Sequence, residues 1–297
     1  MQMQIEEKIK QQIELKVKTV LAWASKALSE ANREHNTPQL DAELLLCSLL
    51  TWERHHLVTR DDHQLTEEAW ANYRSLVERR ALGEPIAYII GTKPFMGMDF
   101  KVGPGVLIPR PDTELLVMSV LQAMPSFQSV CEVGTGSGAV IVSLLALNHE
   151  AMGCGLDISE MAIEITRENA YSNHVYNRLD LRLSDCFSAL NGDELFDVIV
   201  SNPPYISGDD MAALMGDVAD YEPHLALYGG VDGLDFYRKL AAEAPRFLKE
   251  KGGLFFEIGY DQAESVMAIM AENHFHNIVM SRDLAGHPRV VYGRKIG

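Results

Sequence analysis

The sequence predicts an α/β fold, a mostly parallel sheet with helices on both faces, preceded by a helical bundle. Three observations predict it. From residue 112 onward, apolar runs of strand length alternate with runs at helical spacing, the pattern of successive βαβ units. One of those strands runs into a glycine-rich turn, Glu132-Val133-Gly134-Thr135-Gly136-Ser137-Gly138, just before a helix. Residues 1–83 instead place their apolar positions along helix faces. With 297 residues, the chain is long enough for about two domains with cores of their own, so neither disulfides nor a structural metal are needed.

The elements follow in order. Met1 to Lys18 is amphipathic and rich in Gln, Glu and Lys, with no apolar core and no small-residue cleavage site, and so does not read as a signal peptide. Val17, Val20, Leu21, Ala24 and Leu28 recur at helical spacing. Thr37-Pro38 is an N-cap followed by proline at the first helical position, and the run Leu40 to Leu50 follows. Thr66 opens another helix, with Glu67 and Glu68 where the helix dipole favours acids and Trp70, Tyr73 and Val77 as its apolar stripe. Gly83-Glu84-Pro85 ends it. Residues 84–111 read as a β connector. Ile86, Tyr88 and Ile90 alternate as in a strand, and Phe95, Phe100 and Val102 flank the turn Met96-Gly97-Met98-Asp99 as in a hairpin. Residues 112–297 form the α/β domain. Its strand runs are Ser129–Val133, Met152–Ile158, Leu179–Ser184, Phe196–Ser201 and Leu254–Ile258. Its helical runs are Ser137–Leu147, Glu160–Ala170, Asp235–Leu248 and Asp261–Asn273. Asn277–Asp283 and Arg289–Arg294 close the chain as an antiparallel hairpin at one sheet edge.

Charge and cysteine usage narrow the function classes. Lys and Arg number 26 against 42 Asp and Glu, a net charge of −16. A protein that grips bare nucleic acid by its phosphates normally shows the opposite balance. Cys47, Cys131, Cys154 and Cys186 contain no C-x-x-C pair, which argues against a zinc site or a redox dithiol. All four sit in apolar or strand-like runs and read as buried thiols in a reducing compartment. No apolar run approaches the ~20 residues of a membrane span, so a cytoplasmic protein with no membrane partner is expected. His55, His56 and His63 flank an exposed helix end and read as surface residues.

Two motifs carry chemistry. The glycines of the turn after Val133 let the backbone bend tightly and approach a ligand. Asp157 ends the next strand, where a carboxylate takes the hydroxyls of a ribose. Together they describe a cofactor that contains a nucleoside. Gly134, Gly136 and Ala139 also fit the dinucleotide spacing G-x-G-x-x-A, which leaves a dinucleotide-binding protein as an alternative. Glu132 favours a cation: it would repel a pyrophosphate but suit the ammonium and sulfonium of S-adenosylmethionine. The second motif is Asn202-Pro203-Pro204-Tyr205, after the strand Phe196–Ser201. Prolines fix the backbone and remove N–H donors, leaving the Asn202 side-chain oxygen and the Pro203 carbonyl as two acceptors at fixed spacing. These match an NH2 group, and Tyr205 offers a flat ring to a planar amide or base. Both motifs fall at the carboxyl ends of strands, where doubly wound sheets bind ligands.

These residues resemble the class I S-adenosylmethionine-dependent methyltransferases, and specifically the HemK/PrmC family of protein-(glutamine-N5) methyltransferases. The more specific likenesses are Gly105 through Pro109-Arg110-Pro111-Asp112-Thr113-Glu114, then Arg79-Arg80-x-x-Gly83-Glu84-Pro85-Ile86-Ala87-Tyr88, and the later Tyr221-Glu222-Pro223-x-x-Ala226-Leu227-x-x-Gly230-x-Asp232-Gly233. The resemblance runs from about residue 38 onward and implies a Rossmann-like seven-stranded sheet. It implies cofactor contacts from Glu132, Gly134, Thr135, Gly136, Ser137, Gly138, Asp157 and Asn202. Ser184-Asp185-Cys186-Phe187 matches the adenine-side segment, so Asp185 and Cys186 join them, Cys186 standing where related sequences can carry an aromatic. It implies that Asn202, Pro203, Pro204 and Tyr205 hold the substrate glutamine, with Asn202, Pro203 and Tyr205 as the catalytic set and no metal. The implied reaction is N5-methylation of the glutamine in the Gly-Gly-Gln loop of peptide chain release factors. Residues 1–83 would dock the factor, and the chain would act as a monomer without direct nucleic-acid contact. A ribosomal-protein glutamine or a nucleic-acid base amino group are the alternative substrates. Arg110 in the connector reads either as a partner for a backbone carbonyl or for a carboxylate, and Glu257, at the end of the fifth strand run, either as pocket lining or in a capping or packing role.

Overall fold

The computed structural model describes residues 15–31, 37–211 and 221–296. Residues 1–14, most of the segment read as amphipathic, lie outside them. The chain divides into two compact units, Met1–Gly91 with Met215–Tyr221 and Thr92–Leu214 with Glu222–Gly297.

The first unit is helical. α1 (Val17–Glu30) buries Val17, Val20, Ala24 and Leu28, the stripe its spacing predicts. α2 (Pro38–Leu50) starts with Pro38 at its first position and buries Leu45 and Leu46. Thr37 sits at the N-cap of α2, but its hydroxyl donates to Asp41 Oδ1 at 2.8 Å and makes no cap hydrogen bond. The short α3 (Arg54–Thr59) follows. α4 (Glu67–Ala81) is capped as expected, Thr66 Oγ1 accepting from Ala69 N, and buries Trp70, Tyr73 and Val77. Tyr73, fully buried, donates to the Ala42 carbonyl at 2.9 Å, which ties α4 to α2. Arg80 Nε meets Asp41 Oδ2 at 2.8 Å, and both side chains are buried. One expectation fails here. Ile86–Ile90 is a one-turn helix, α5, rather than a strand. Pro85 fixes its entry and Gly91, at φ 84°, ends it in the left-handed region. Five apolar residues are too few for alternation to be told from helical spacing.

The second unit opens with the expected hairpin, β1 (Thr92–Phe95) and β2 (Met98–Lys101), paired antiparallel. The sequence reading passes over the next helix, α6 (Glu114–Ala123). The alternation then runs β3 (Ser129–Val133), α7 (Ala139–Leu147), β4 (Met152–Asp157), α8 (Glu160–Ser172), β5 (Leu179–Leu183) and β6 (Phe196–Ser201). The one-turn α9 (Gly208–Met211), α10 (Asp235–Glu243), β7 (Leu248–Glu257), α11 (Ala263–Glu272), β8 (Phe275–Arg282) and β9 (Pro288–Lys295) complete it. The helix expected over Asp235–Leu248 stops at Glu243, because Pro245 has no N–H to continue it and a 3₁₀ turn follows. β7 therefore begins at Leu248, six residues before the expected Leu254.

The seven strands take the order β5-β4-β3-β6-β7-β9-β8. The first five are parallel, and β9 is antiparallel to both β7 and β8. Successive strand residues face opposite sides, and each side has its own core. Cys131, Ile199 and Phe256 join Leu156, Leu240 and Val266 on one side. Val130, Val198 and Phe255 join Ile141, Leu144 and Leu116 on the other. Burial on both faces explains why these strands read as continuous apolar runs. The four cysteines are buried and unbridged, as their apolar settings predict. Register fixes the site: Val133 lies beside Leu156 on β4 and beside Ser201 on β6, so the three strands release their next residues along one rim.

Candidate active site

That rim opens into a cavity of about 390 Å³, within the range of small-molecule sites. Eleven of the residues expected at the site line it: Glu132, Gly134, Thr135, Gly136, Ser137, Asp157, Asp185, Cys186, Asn202, Pro203 and Pro204. Gly138 and Tyr205 stay off the wall.

The glycine turn is built from left-handed backbone, with φ at 78° for Gly134, 54° for Gly136 and 77° for Gly138. A Cβ on Gly134 or Gly136 would meet no protein atom within 4 Å and would occupy the cavity itself. A Cβ on Gly138 would instead stand 2.7 Å from the Thr166 side chain. The first two glycines thus keep space for a ligand, and the third lets α7 pack beside α8. Asp157 closes the turn from β4. Its Oδ2 accepts from Gly136 N and its Oδ1 from Ser159 N, both at 2.9 Å. Each oxygen keeps a lone pair for a further donor.

Glu132 is 2% exposed, and its Oε2 accepts from Ile141 N at 3.0 Å. Burial drives its pKa well up, and nearby Asp157 adds to this. A cation in the cavity would reverse that shift and hold the carboxylate ionised. Just past β5, Ser184 Oγ donates to the Cys186 carbonyl at 2.7 Å and Ser184 N to the Asp157 carbonyl at 2.8 Å. Cys186 takes φ 49°, and burial raises its thiol pKa. Asp185 pairs with Lys239 at 2.8 Å, which lowers its pKa.

Asn202, Pro203 and Pro204 follow β6 on the opposite part of the wall. Ser201 Oγ donates to the Val133 carbonyl at 2.7 Å and locks β6 to β3 there. Tyr205 turns behind the wall. Its ring packs on the core beneath α10 and α11, its carbonyl accepts from Gln262 Nε2 at 2.9 Å, and burial pushes its phenol up to about 12. The loop is seated by the later segment. Ile206 N donates to the Leu227 carbonyl and Gly229 N to the Ile206 carbonyl, each at 2.9 Å, which carries Pro223, Leu225 and Ala226 onto the cavity. Arg110 decides its own open reading: Nη2 meets buried Glu222 Oε1 at 2.6 Å, and Ile108 N also donates to Glu222. The Pro109-Arg110-Pro111 turn and the Glu222-Pro223 segment are thereby clamped together at the cavity mouth.

Several further residues line the cavity beyond those the sequence singles out. Thr113 lies within the Pro-Arg-Pro-Asp-Thr-Glu motif. Ile158, 61% exposed beside Asp157, follows a candidate ligand residue directly in sequence, which is the one signal it carries. Met161 and Phe236 gave none that stands apart from helix core.

Residues 19–91 match the PrmC N-terminal domain and residues 111–219 the methyltransferase small domain. The release factor glutamine methyltransferase of Geobacter sulfurreducens is 41% identical over 278 residues, covering 94% of this chain and 96% of that protein. The chain belongs to the release factor glutamine methyltransferase family. A second member, from Clostridium botulinum, is 40% identical over 261 residues, 86% of this chain and 92% of its own. The crystal structure of a methyltransferase from Pyrococcus furiosus covers 76% of this chain and 100% of its own with a TM-score of 0.52, and at 17% identity it speaks for the fold alone. The sheet order and this likeness agree on the class I S-adenosylmethionine-dependent methyltransferase fold expected from the sequence, with the helical unit before it. The match over residues 19–91 extends the family likeness across that helical unit.

Proposed function

We propose that this family member transfers a methyl group from S-adenosylmethionine to the side-chain amide nitrogen, N5, of a glutamine in the Gly-Gly-Gln loop of peptide chain release factors. The observation that carries the reading is the single cavity shared by the Glu132–Ser137 turn, Asp157 and the Asn202-Pro203-Pro204 loop. Those residues suit the donor. Gly134 and Gly136 leave room for it, Asp157 has lone pairs for a ribose, and Glu132 offers a buried negative charge to a cation. When bound, the donor supplies a methyl group on a positively charged sulfur, so the accepting nitrogen need not be deprotonated first.

An amide nitrogen is a poor nucleophile because its lone pair is delocalised into the carbonyl. The Asn202 side-chain oxygen and the Pro203 carbonyl would accept its two hydrogens, push density back to nitrogen and fix its line of approach. Pro204 shapes the wall beside them. Tyr205, set behind the wall, would hold the loop rather than stack on the substrate. We assign no general base; the proton left after transfer departs to water or to an acceptor. The helical unit supplies the surface that a glycine-rich loop lacks, and it would dock the factor. The charge of −16 supports a protein rather than a nucleic-acid partner, and we take the enzyme to act as a cytoplasmic monomer. No described helix is long and apolar enough to cross a membrane.

The test incubates the enzyme and labelled cofactor with release factor, with the same factor carrying Gln→Ala in its Gly-Gly-Gln loop, with ribosomal protein and with duplex DNA. Label on the first alone is expected. Equal label on the Gln→Ala factor, or label only on ribosomal protein or DNA, overturns the assignment.

A further inference from the structure

Six large apolar side chains of the second unit stand out among the described residues for their exposure, from 61% upward: Ile158, Tyr171, Leu225, Val231, Tyr260 and Leu284. Single exposed apolar residues are ordinary, but a set gathered on one face marks an interaction site. Five of the six sit in loops at one rim of the sheet. Ile158 follows β4, Leu225 and Val231 lie between β6 and α10, Tyr260 follows β7, and Leu284 turns β8 into β9. β7 and β8 are both antiparallel to β9 and so run the same way. Leu284 therefore stands at the carboxyl ends of the strands, the rim that holds the cavity. Tyr171, in the last turn of α8, is the exception.

Ile158 and Leu225 line the cavity itself. Val231, Tyr260 and Leu284 do not, and their loops are fixed to the acceptor side of it. Gln262 joins two of them to the Asn-Pro-Pro-Tyr loop: its Nε2 donates to the Tyr205 carbonyl at 2.9 Å and to the Gly233 carbonyl at 3.3 Å, and its Oε1 accepts from Gly259 N at 3.0 Å. The β8–β9 turn is built as firmly. Asp283 Oδ1 accepts from Ala285 N and His287 N, each at 2.9 Å, and Oδ2 from Arg289 Nε at 3.0 Å. Arg289 also pairs with Asp112 at 2.9 Å, and Asp112 stands in the chain between Arg110 and Thr113, both on the cavity wall. Leu284 is thus fully exposed on a turn that is already ordered, so covering it costs little loop entropy. The arginines here are committed within the protein, Arg289 to two carboxylates, Arg110 to Glu222 and Arg282 to the Gly286 carbonyl. That favours apolar contact over a grip on a phosphate backbone.

We propose that Val231, Tyr260 and Leu284 form a docking rim for the protein substrate, taking apolar side chains that begin about four residues from the methylated glutamine. The inference rests on the protein-glutamine reading above. The spacing comes from the sheet. β8 stands three places from β6, and neighbouring strands lie about 4.8 Å apart, so the rim reaches about 14 Å from the Asn202 loop. An extended chain covers that in about four residues.

The test uses the full chain with Leu284→Asp, Tyr260→Asp and Leu284→Met, on intact release factor and on a Gly-Gly-Gln tripeptide too short to reach the rim. Each Asp variant should raise KM for the factor roughly tenfold or more, the scale of losing one buried apolar side chain, with kcat within about twofold. Leu284→Met should behave as wild type. Activity on the tripeptide, S-adenosylhomocysteine affinity and melting temperature should hold in all three. KM for the factor unmoved in both Asp variants, an equal loss on the tripeptide, or a parallel fall in cofactor affinity and melting temperature would each overturn the proposal. So would a wild type that sediments as a dimer and is split by Leu284→Asp, which assigns the rim to a second copy of the chain. A wild type that methylates no release factor defeats the substrate reading and this proposal with it, whereas methylation with KM unmoved defeats this proposal alone.

Discussion

Replacing Glu132 with Gln keeps the shape of the side chain and its bond from Ile141 N, while removing the charge. At 2% exposure and with one backbone donor on Oε2, the carboxylate is costly to ionise when the cavity holds no cation. Its folded pKa is therefore raised, and the unfolded chain titrates near 4.3. The sign follows. Between these two values the folded state binds the extra proton, so stability is lost as pH rises from about 4.3 toward the folded pKa. Glu132→Gln removes that loss. Its melting temperature should exceed wild type at pH 8 and converge with it as pH falls toward the unfolded value. Cofactor affinity should move the other way. A hydrogen bond to a charged group contributes about 1.5 to 3 kcal/mol, so S-adenosylmethionine should bind roughly ten- to hundredfold more weakly. Wild-type affinity should also increase with pH as Glu132 ionises, and the variant should be flat. Titration calorimetry and thermal melts across pH 5 to 8 supply both readings. Unchanged affinity, or stability and affinity falling together, would refute the view that this carboxylate is held against its own stability for a cation.

Asp157→Ala should weaken S-adenosylhomocysteine binding by about 1.5 to 3 kcal/mol, and calorimetry checks it; because Gly136 N and Ser159 N lose their acceptor too, a small drop in melting temperature should accompany it. Arg80→Ala leaves Asp41 buried beside Thr37 with its ion pair gone. About 3 to 5 kcal/mol of stability in the helical unit should be lost, read as a shift in urea midpoint, while S-adenosylhomocysteine affinity holds.

The sequence was most legible where local chemistry and fold demand the same thing. β3 and β6 match their expected bounds because a glycine turn and a proline pair stop them, and those stops are the site. Strand ends with no such stop drift. β7 starts early because Pro245 shortens the helix before it, and apolar residues on either side of that break look alike. α5 shows the opposite failure, where five residues carry no usable period. Gly138 and Tyr205 belong to motifs that touch the cavity, yet Gly138 makes room for Thr166 and Tyr205 joins the core. Motif membership does not state which way a residue faces. Glu257 was open for a different reason: only the order of the sheet, which sets β7 beside β6, shows that it is buried and off the cavity wall.

That order also bears on how the protein is made. β9 is inserted between β7 and β8, and β8 has no other strand partner among those described. While the ribosome is still translating β8, β7 presents an unpaired edge and β8 has nowhere to dock. The sheet is completed only when residues 288–295 leave the exit tunnel. A nascent chain paused before that point would hold the glycine turn and the Asn-Pro-Pro loop in place on β3 and β6 but leave Glu257 on an open edge, bound by whatever chaperone or neighbouring strand reaches it first.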